Sequence, residues 1–421
     1  MFNKLITSLR TNHRVRKIIS IALLASLALY IFSIPAFSAR AKWNYISYFL
    51  MALCAVMTIA EYVLYEKFFF DRRLLIFFVF ILETLIGTII FSHDFRHWLT
   101  IILVTLSLVI FYYAFNSIKN RRLICQIIAF SLLAFGAYFA TVYFKRVFTF
   151  KISGDTLGTY FDNVNTVGTY FSLGSVLFLY LALFNKRKLE YLYLIPALGM
   201  LYLGIFTGSR HFLITTFVAA FICLVLSIKK RKWIAFIVLG VAIGLFFIII
   251  QLPQLADFKE RLLRGISTLF GIGNYKIDSS AVQRMLWPRY AFNLGSKQLL
   301  FGYGTSGFTI YSGIGTYSHN NYAEVLCNFG IFGLVIFYSA VLYPFFLAIR
   351  SKDKSKYIVI IIITFYLVKG FFGVYYPSKD AYMMLALCFC LVKDVHLSDF
   401  KEFNFKFMRE NVADSYFEVS I

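Results

Sequence analysis

The segment Ser318–Tyr338, SHNNYAEVLCNFGIFGLVIFY, sets one histidine, two asparagines and a glutamate at the head of an apolar run. An imidazole placed there can take a proton from a hydroxyl nucleophile, the task of a general base. Asn321 with Glu324 three residues on reads as a capping box, which predicts a helix N-terminus and gives Glu324 a structural job. The open amides and positive dipole end of such a terminus attract phosphate and disfavour imidazolium, so His319 is expected to be neutral. His13, His93, His97 and His396 lack such company; His211 follows directly on Arg210. Arg284 and Arg289 lie in the segment before His319. Guanidinium groups grip anionic oxygens through charge-assisted, often bidentate hydrogen bonds, so Arg210, Arg284 and Arg289 are candidate ligands for an anionic group.

The elements that must position these groups are membrane helices. With 60% hydrophobic and only 15% charged residues, and a mean hydropathy of +0.75, the composition is that of a polytopic membrane protein. Apolar runs of about 20 residues, enough to cross the hydrocarbon core, recur at 18–37, 43–65, 74–92, 98–116, 123–144, 166–184, 190–207, 211–228, 233–251, 321–349, 357–376 and 380–395. The expected fold is all-α with about twelve spans. It divides into a membrane bundle at 1–251, a large extracytoplasmic loop at 252–320, further membrane helices at 321–395 and a tail at 396–421.

Alternate loops concentrate Lys and Arg, holding 26 of the 42 basic residues together with the two terminal arms. That bias predicts both termini in the cytoplasm. Much of the formal charge of +22 then follows from topology and contact with anionic membrane lipids, and nucleic-acid binding is excluded as a function because no soluble domain presents a basic groove. The first apolar run is read as an uncleaved span, longer than the apolar region of a signal peptide. The six cysteines all fall in apolar runs, without zinc spacing or a disulfide framework, and no cofactor is expected.

Two outer segments exceed simple turns. The first is 145–165 and ends in DNVN; the second is 252–318. In the second, Leu255, Phe258, Leu262, Ile266 and Leu269 follow helical spacing, which predicts an amphipathic helix lying in the membrane interface with Lys259, Arg261 and Arg264 on its polar side. A further helix is expected over 279–292, capped by Ser279 or Ser280, with Gln283, Arg284 and Trp287 on one face and a kink at Pro288. Glycines 302, 304, 307, 313 and 315 imply backbone close to bulk, or turns with positive φ. The segment holds seven basic residues (259, 261, 264, 276, 284, 289, 297) against three acidic ones (257, 260, 278). Long translocated loops escape the topology rule, so this surplus points to an anionic ligand.

These motifs, in this order, resemble the bacterial O-antigen polymerase and O-antigen ligase superfamily, most of all its Wzy-type polymerases. His319-Asn320 followed by Gly330 and Gly333 is similar to the family's His-[Asn/Ser/Gln]-x9-Gly-x-x-Gly signature, and FTGSRH at 206–211 to its Ser-Arg motif. Gln283-Arg284 with Trp287, then LLFGYGTSGF, is similar to the family's Arg-x-x-x-Trp and Gly-rich elements, with the Arg-to-Trp spacing one residue shorter. The resemblance implies a GT-C-like fold in the bacterial inner membrane. It also implies an undecaprenyl-pyrophosphate-linked oligosaccharide as donor and acceptor, inverting transfer without metal or nucleotide, and a polysaccharide chain-length regulator as partner. His319 then serves as base, Arg210 and Arg284 bind pyrophosphate with Arg289 in reserve, and Asn165 and Asn320 contact substrate.

Asn165 is equally readable as a helix N-cap. Glu83 lies in the middle of the third span, where an ionisable group is functional by default, with Lys369 the guessed partner. Polymerisation into O-antigen or capsule is the leading expectation. Ligation to lipid A core or protein is the alternative within the same chemistry, and a lipid-linked oligosaccharide flippase, with Glu83 and Lys369 as coupling charges, the alternative of another class.

Overall fold

Inside hydrocarbon every backbone N–H and C=O must find its partner within its own segment, so runs this apolar fold as helices. A computed structural model describes residues 13–37, 44–65, 69–143, 161, 163–184, 188–228, 240, 244, 251, 256–270 and 278–392. Among them every regular element is helical. The bundle begins with α1 (His13–Phe37), α2 (Asn44–Leu64), α3 (Leu75–Gly87), α4 (Phe95–Ser117) and α5 (Arg121–Val142). It continues with α6 (Val164–Leu183), α7 (Leu194–Phe206) and α8 (Arg210–Ser227). The segment 252–320 supplies α9 (Ala256–Phe270), α10 (Ser279–Gly295) and the short α11 (Gly307–Tyr311), and α12 (Asn321–Arg350), α13 (Lys356–Gly370) and α14 (Lys379–Leu391) follow.

Nine helices among the described residues are long and apolar enough to span a membrane, which makes this an integral membrane protein. Large apolar side chains such as Ile18, Phe49, Ile59, Leu82 and Ile195 remain exposed on their outer faces, the surface that lipid covers. The expected ninth span, 233–251, lies outside the described residues save Gly240, Gly244 and Gln251, as do 145–160, Asp162, the side chains of Phe258, Arg261 and Leu269, and the tail beyond 392. The last two spans differ from expectation. Helix α13 has 15 residues and α14 has 13, about 22 and 20 Å against a core of about 30 Å. Gly370, Gly373 and Pro377 interrupt the run, and the resulting turn at 371–378 reaches the cavity described below.

Helix α6 forms the centre of the bundle, packed against α5, α7 and α8, while α12 is wedged among α3, α10 and α13. At Gly330, α12 breaks: φ is 61° and ψ −164°, a conformation essentially confined to glycine. The gap is filled by the Gly-rich loop. Tyr303 and Gly304 donate their N–H groups to the carbonyls of Cys327 and Asn328 at 2.9 and 2.7 Å, and Ile331 N–H donates to Leu299 O at 2.7 Å. A Cβ on Gly302 would fall 2.4 Å from the Asn328 backbone, and one on Gly304 2.5 Å from Gly87 O. The bulk that these glycines approach is therefore protein backbone. On the other side Thr305 locks the loop to the π-helical end of the third span, its N–H bonding Thr88 Oγ1 at 3.2 Å and its hydroxyl Asp94 O at 2.8 Å.

Candidate active site

Ser209 caps α8 by accepting from the Phe212 N–H at 3.2 Å, and this places Arg210 on the first turn. Arg210 Nη1 reaches Asp278 at 2.7 Å. Gly265 of α9 leaves room for that guanidinium, since a Cβ there would stand 2.0 Å from Arg210 Nη1. The amphipathic helix is observed as expected, and its Thr268 hydroxyl accepts from the Asp278 N–H at 2.9 Å. Asp278, not Ser279 or Ser280, is the N-cap of α10, accepting from the Ala281 N–H at 3.1 Å. A carboxylate outranks serine here because it satisfies the cap and pairs with Arg210 at once. Burial pushes the Asp278 carboxyl up, yet the hydrogen bond and charge of Arg210 outweigh it and hold the group below its ordinary range.

The same helix carries Arg284, bonded to Ser280 Oγ at 2.5 Å, and runs through Pro288 to Gly295. Trp287, one turn on, stacks on the His319 ring at 5.2 Å between centroids and 10° between planes. Tyr317 meets that ring edge-on at 4.5 Å. His319 itself stands at φ 61°, held in the left-handed region by its neighbours. Asn320 rather than Asn321 caps α12, its side chain accepting from the Ala323 N–H at 3.0 Å, so this side chain serves the helix. Glu324 reaches back past the cap to the Ser318 N–H at 2.6 Å, fixing the turn that presents His319. Asn321 is buried instead, accepting from the N–H groups of Tyr375 and Tyr376 at 2.8 and 3.0 Å.

Burial, then the positive charge of Arg284, push His319 down to about 4. The imidazole is thus neutral at physiological pH; a role as general base predicts an acid limb in kcat/KM near that value. Arg284→Met removes a nearby positive charge, stabilises imidazolium and moves the acid limb upward by about half to one pH unit, alongside a drop in rate. A limb that stays in place in the pH profile of the variant contradicts this coupling.

Behind Tyr317 opens a cavity of about 310 Å³, lined by Asn163, Asn165, His211, Lys369, Lys379 and Asp380 among others. Asn165 is not the cap of α6; Asn163 is, and Asn165 Oδ1 accepts from the Ser209 hydroxyl at 2.8 Å beside Arg210. Arg284 lies within electrostatic reach of both His211 and His319. Arg289 does not join them. It is exposed, about 140° around α10 from Arg284. Glu83 is also apart, buried against Gly333 of α12, and neither carboxyl oxygen has a hydrogen-bond partner among the described residues. Its guessed partner Lys369 instead pairs with Asp380 at 3.0 Å, because both sit at the ends of α13 and α14 facing the cavity.

Residues 195–338 match the family model described as O-antigen ligase. That stretch, about a third of the chain, is similar to the O-antigen ligase family. Members are glycosyltransferase-like enzymes acting on lipid-linked glycans. No curated protein matches the chain.

The O-antigen ligase domain contains Arg210, His211, Arg284, His319 and Glu324, but most of the cavity wall lies outside it. Asn163, Asn165, Lys369, Lys379 and Asp380 come from helices on either side. Sequence reasoning missed Asp278, Gly265, Tyr317, Lys379 and Asp380. Asp278 carried a signal, as an acidic residue directly before a Ser-Ser helix start. The cavity residues carried none, because nothing in linear order brings 163–170 and 369–380 together.

Proposed function

We propose that this protein is an inverting glycosyltransferase of the bacterial cytoplasmic membrane. It polymerises undecaprenyl-pyrophosphate-linked oligosaccharide units on the outer face, with both termini in the cytoplasm. The observation that carries the reading is the pairing of Arg284 with a neutral His319, whose ring is clamped between Trp287 and Tyr317 at the mouth of a polar cavity. His319 takes the proton of the acceptor hydroxyl as its oxygen attacks the anomeric carbon. The bond from that carbon to the phosphate oxygen breaks, and its electron pair leaves with the diphosphate. Arg284 stabilises the growing negative charge, and Arg210 joins it by exchanging Asp278 for phosphate. The bound diphosphate offsets the charge of Arg284, which raises the basicity of His319 in part, the effect of burial remaining. The leaving group is already activated, so no nucleotide is required.

The ligase reading uses the same groups with another acceptor, and the description of the matching family favours it. Purified protein in lipid nanodiscs, given undecaprenyl-pyrophosphate-linked repeat units, yields a ladder of chain lengths if it polymerises. A single mass shift that appears only with a core or protein acceptor assigns ligation. Movement of donor across proteoliposomes without a new glycosidic bond refutes both.

A further inference from the structure

The cavity holds a cation that the transfer chemistry above does not use. Lys379, first residue of α14, lines it with its ammonium 4.1 Å above the centroid of the Tyr48 ring. Among the described residues it has no carboxylate partner. The other lysine in the cavity is already neutralised, since Asp380 accepts from Lys369 at 3.0 Å and from the Tyr366 hydroxyl at 2.9 Å. One positive charge is therefore left over in a half-buried site, where an ammonium without a counter-charge is costly. A ring face offsets only part of that cost.

Two further features favour an anion there. The N-cap of α14, Ser378, makes no side-chain capping bond, so the positive end of the helix opens beside Lys379. His211 is 6% exposed, and its Nε2 has no hydrogen-bond partner among the described residues. The rest of the lining is suited to sugar. Asn165, Thr166 and Thr169 offer amide and hydroxyl groups, and Tyr48, Tyr170 and Phe372 offer ring faces.

We propose that this cavity is a subsite for a carboxylate-bearing sugar of the glycan substrate, with Lys379 as the counter-charge and His211 as a hydrogen-bond partner. The inference rests on reading the cavity as part of a glycan-transfer site. One surplus charge matches a singly charged carboxylate and undercompensates a diphosphate, for which Arg284 and Arg210 are the ligands proposed above. The substrate class that follows is an acidic oligosaccharide, and the polysaccharide built from it is anionic.

The test measures binding without turnover, so it stands or falls separately from polymerisation. Full-length protein in nanodiscs is titrated with a trisaccharide ending in glucuronic acid and with its carboxyl-reduced counterpart. The wild type binds the acid about tenfold more tightly, Lys379→Met binds the two alike, and Lys379→Arg and His319→Asn keep the preference. Equal affinities in the wild type, or a preference that survives in Lys379→Met with an unchanged melting temperature, overturn the proposal. So does a tenfold loss of inorganic pyrophosphate affinity in Lys379→Met with no carboxylate preference in the wild type, which assigns the charge to the donor's diphosphate.

Discussion

His319→Asn lowers glycan transfer by about 10²–10⁴-fold, the range that general-base catalysis contributes. Asparagine is the informative replacement because it tolerates the left-handed backbone that His319 adopts at φ 61°, whereas alanine adds strain to the loss of the ring. The variant keeps its melting temperature within a few degrees and binds undecaprenyl pyrophosphate as the wild type does, since Arg284 remains. Single-turnover transfer is the deciding measurement. A loss below about tenfold removes His319 from the role of base, and a parallel loss of donor affinity reassigns it to binding. The imidazole also packs on Trp287 and Tyr317, so His319→Phe, which preserves those ring contacts without a proton acceptor but carries the same backbone strain as alanine, is equally inactive.

Gly330→Ala unfolds the outer half of α12 or prevents assembly altogether. A Cβ at this position would stand 2.3 Å from Leu300 O, and the backbone conformation is one that L residues rarely adopt. Both contributions act on rigid backbone, and together they destabilise by about 3–5 kcal/mol. Gly313→Ala is the control: φ is 69° there, but nothing lies within 4 Å of the added methyl, so only about 1 kcal/mol of backbone strain remains. Size-exclusion profiles and thermal melting in detergent distinguish the two. A Gly330→Ala protein as stable as Gly313→Ala means that the break in α12 is not needed for the fold.

The glycine pair of the His-Asn-x9-Gly-x-x-Gly signature thereby acquires a physical meaning. Gly330 lets the helix break, and Gly333 leaves room for Glu83, whose Oε2 would be 2.8 Å from an added Cβ. The interrupted helix offers free carbonyls to the loop at 299–304, and that loop in turn ties α12 to the third span. His319 and Gly330 stand at opposite ends of one rigid unit. A histidine held in left-handed backbone needs such a frame, because strain persists only where surrounding structure overdetermines it.

Helical class, integral membrane character, the amphipathic helix and the helix that carries Arg284 and Trp287 were legible in linear order, since each depends on periodicity or on neighbours a few residues apart. So was the family, through motifs lying within about a third of the chain. Register was less legible: the cap of α10 lies one or two residues before the expected Ser279 or Ser280 and that of α12 one before Asn321, because a second partner, Arg210 in one case and the buried backbone of Tyr375 and Tyr376 in the other, decides which side chain is free to cap. Only tertiary structure paired Lys369 with Asp380 rather than Glu83, turned Arg289 away and brought 163–170 and 369–380 around one cavity. Short-range hydrogen bonding and hydropathy are encoded locally, whereas charge pairing and cavity shape depend on which helix ends meet when the bundle packs.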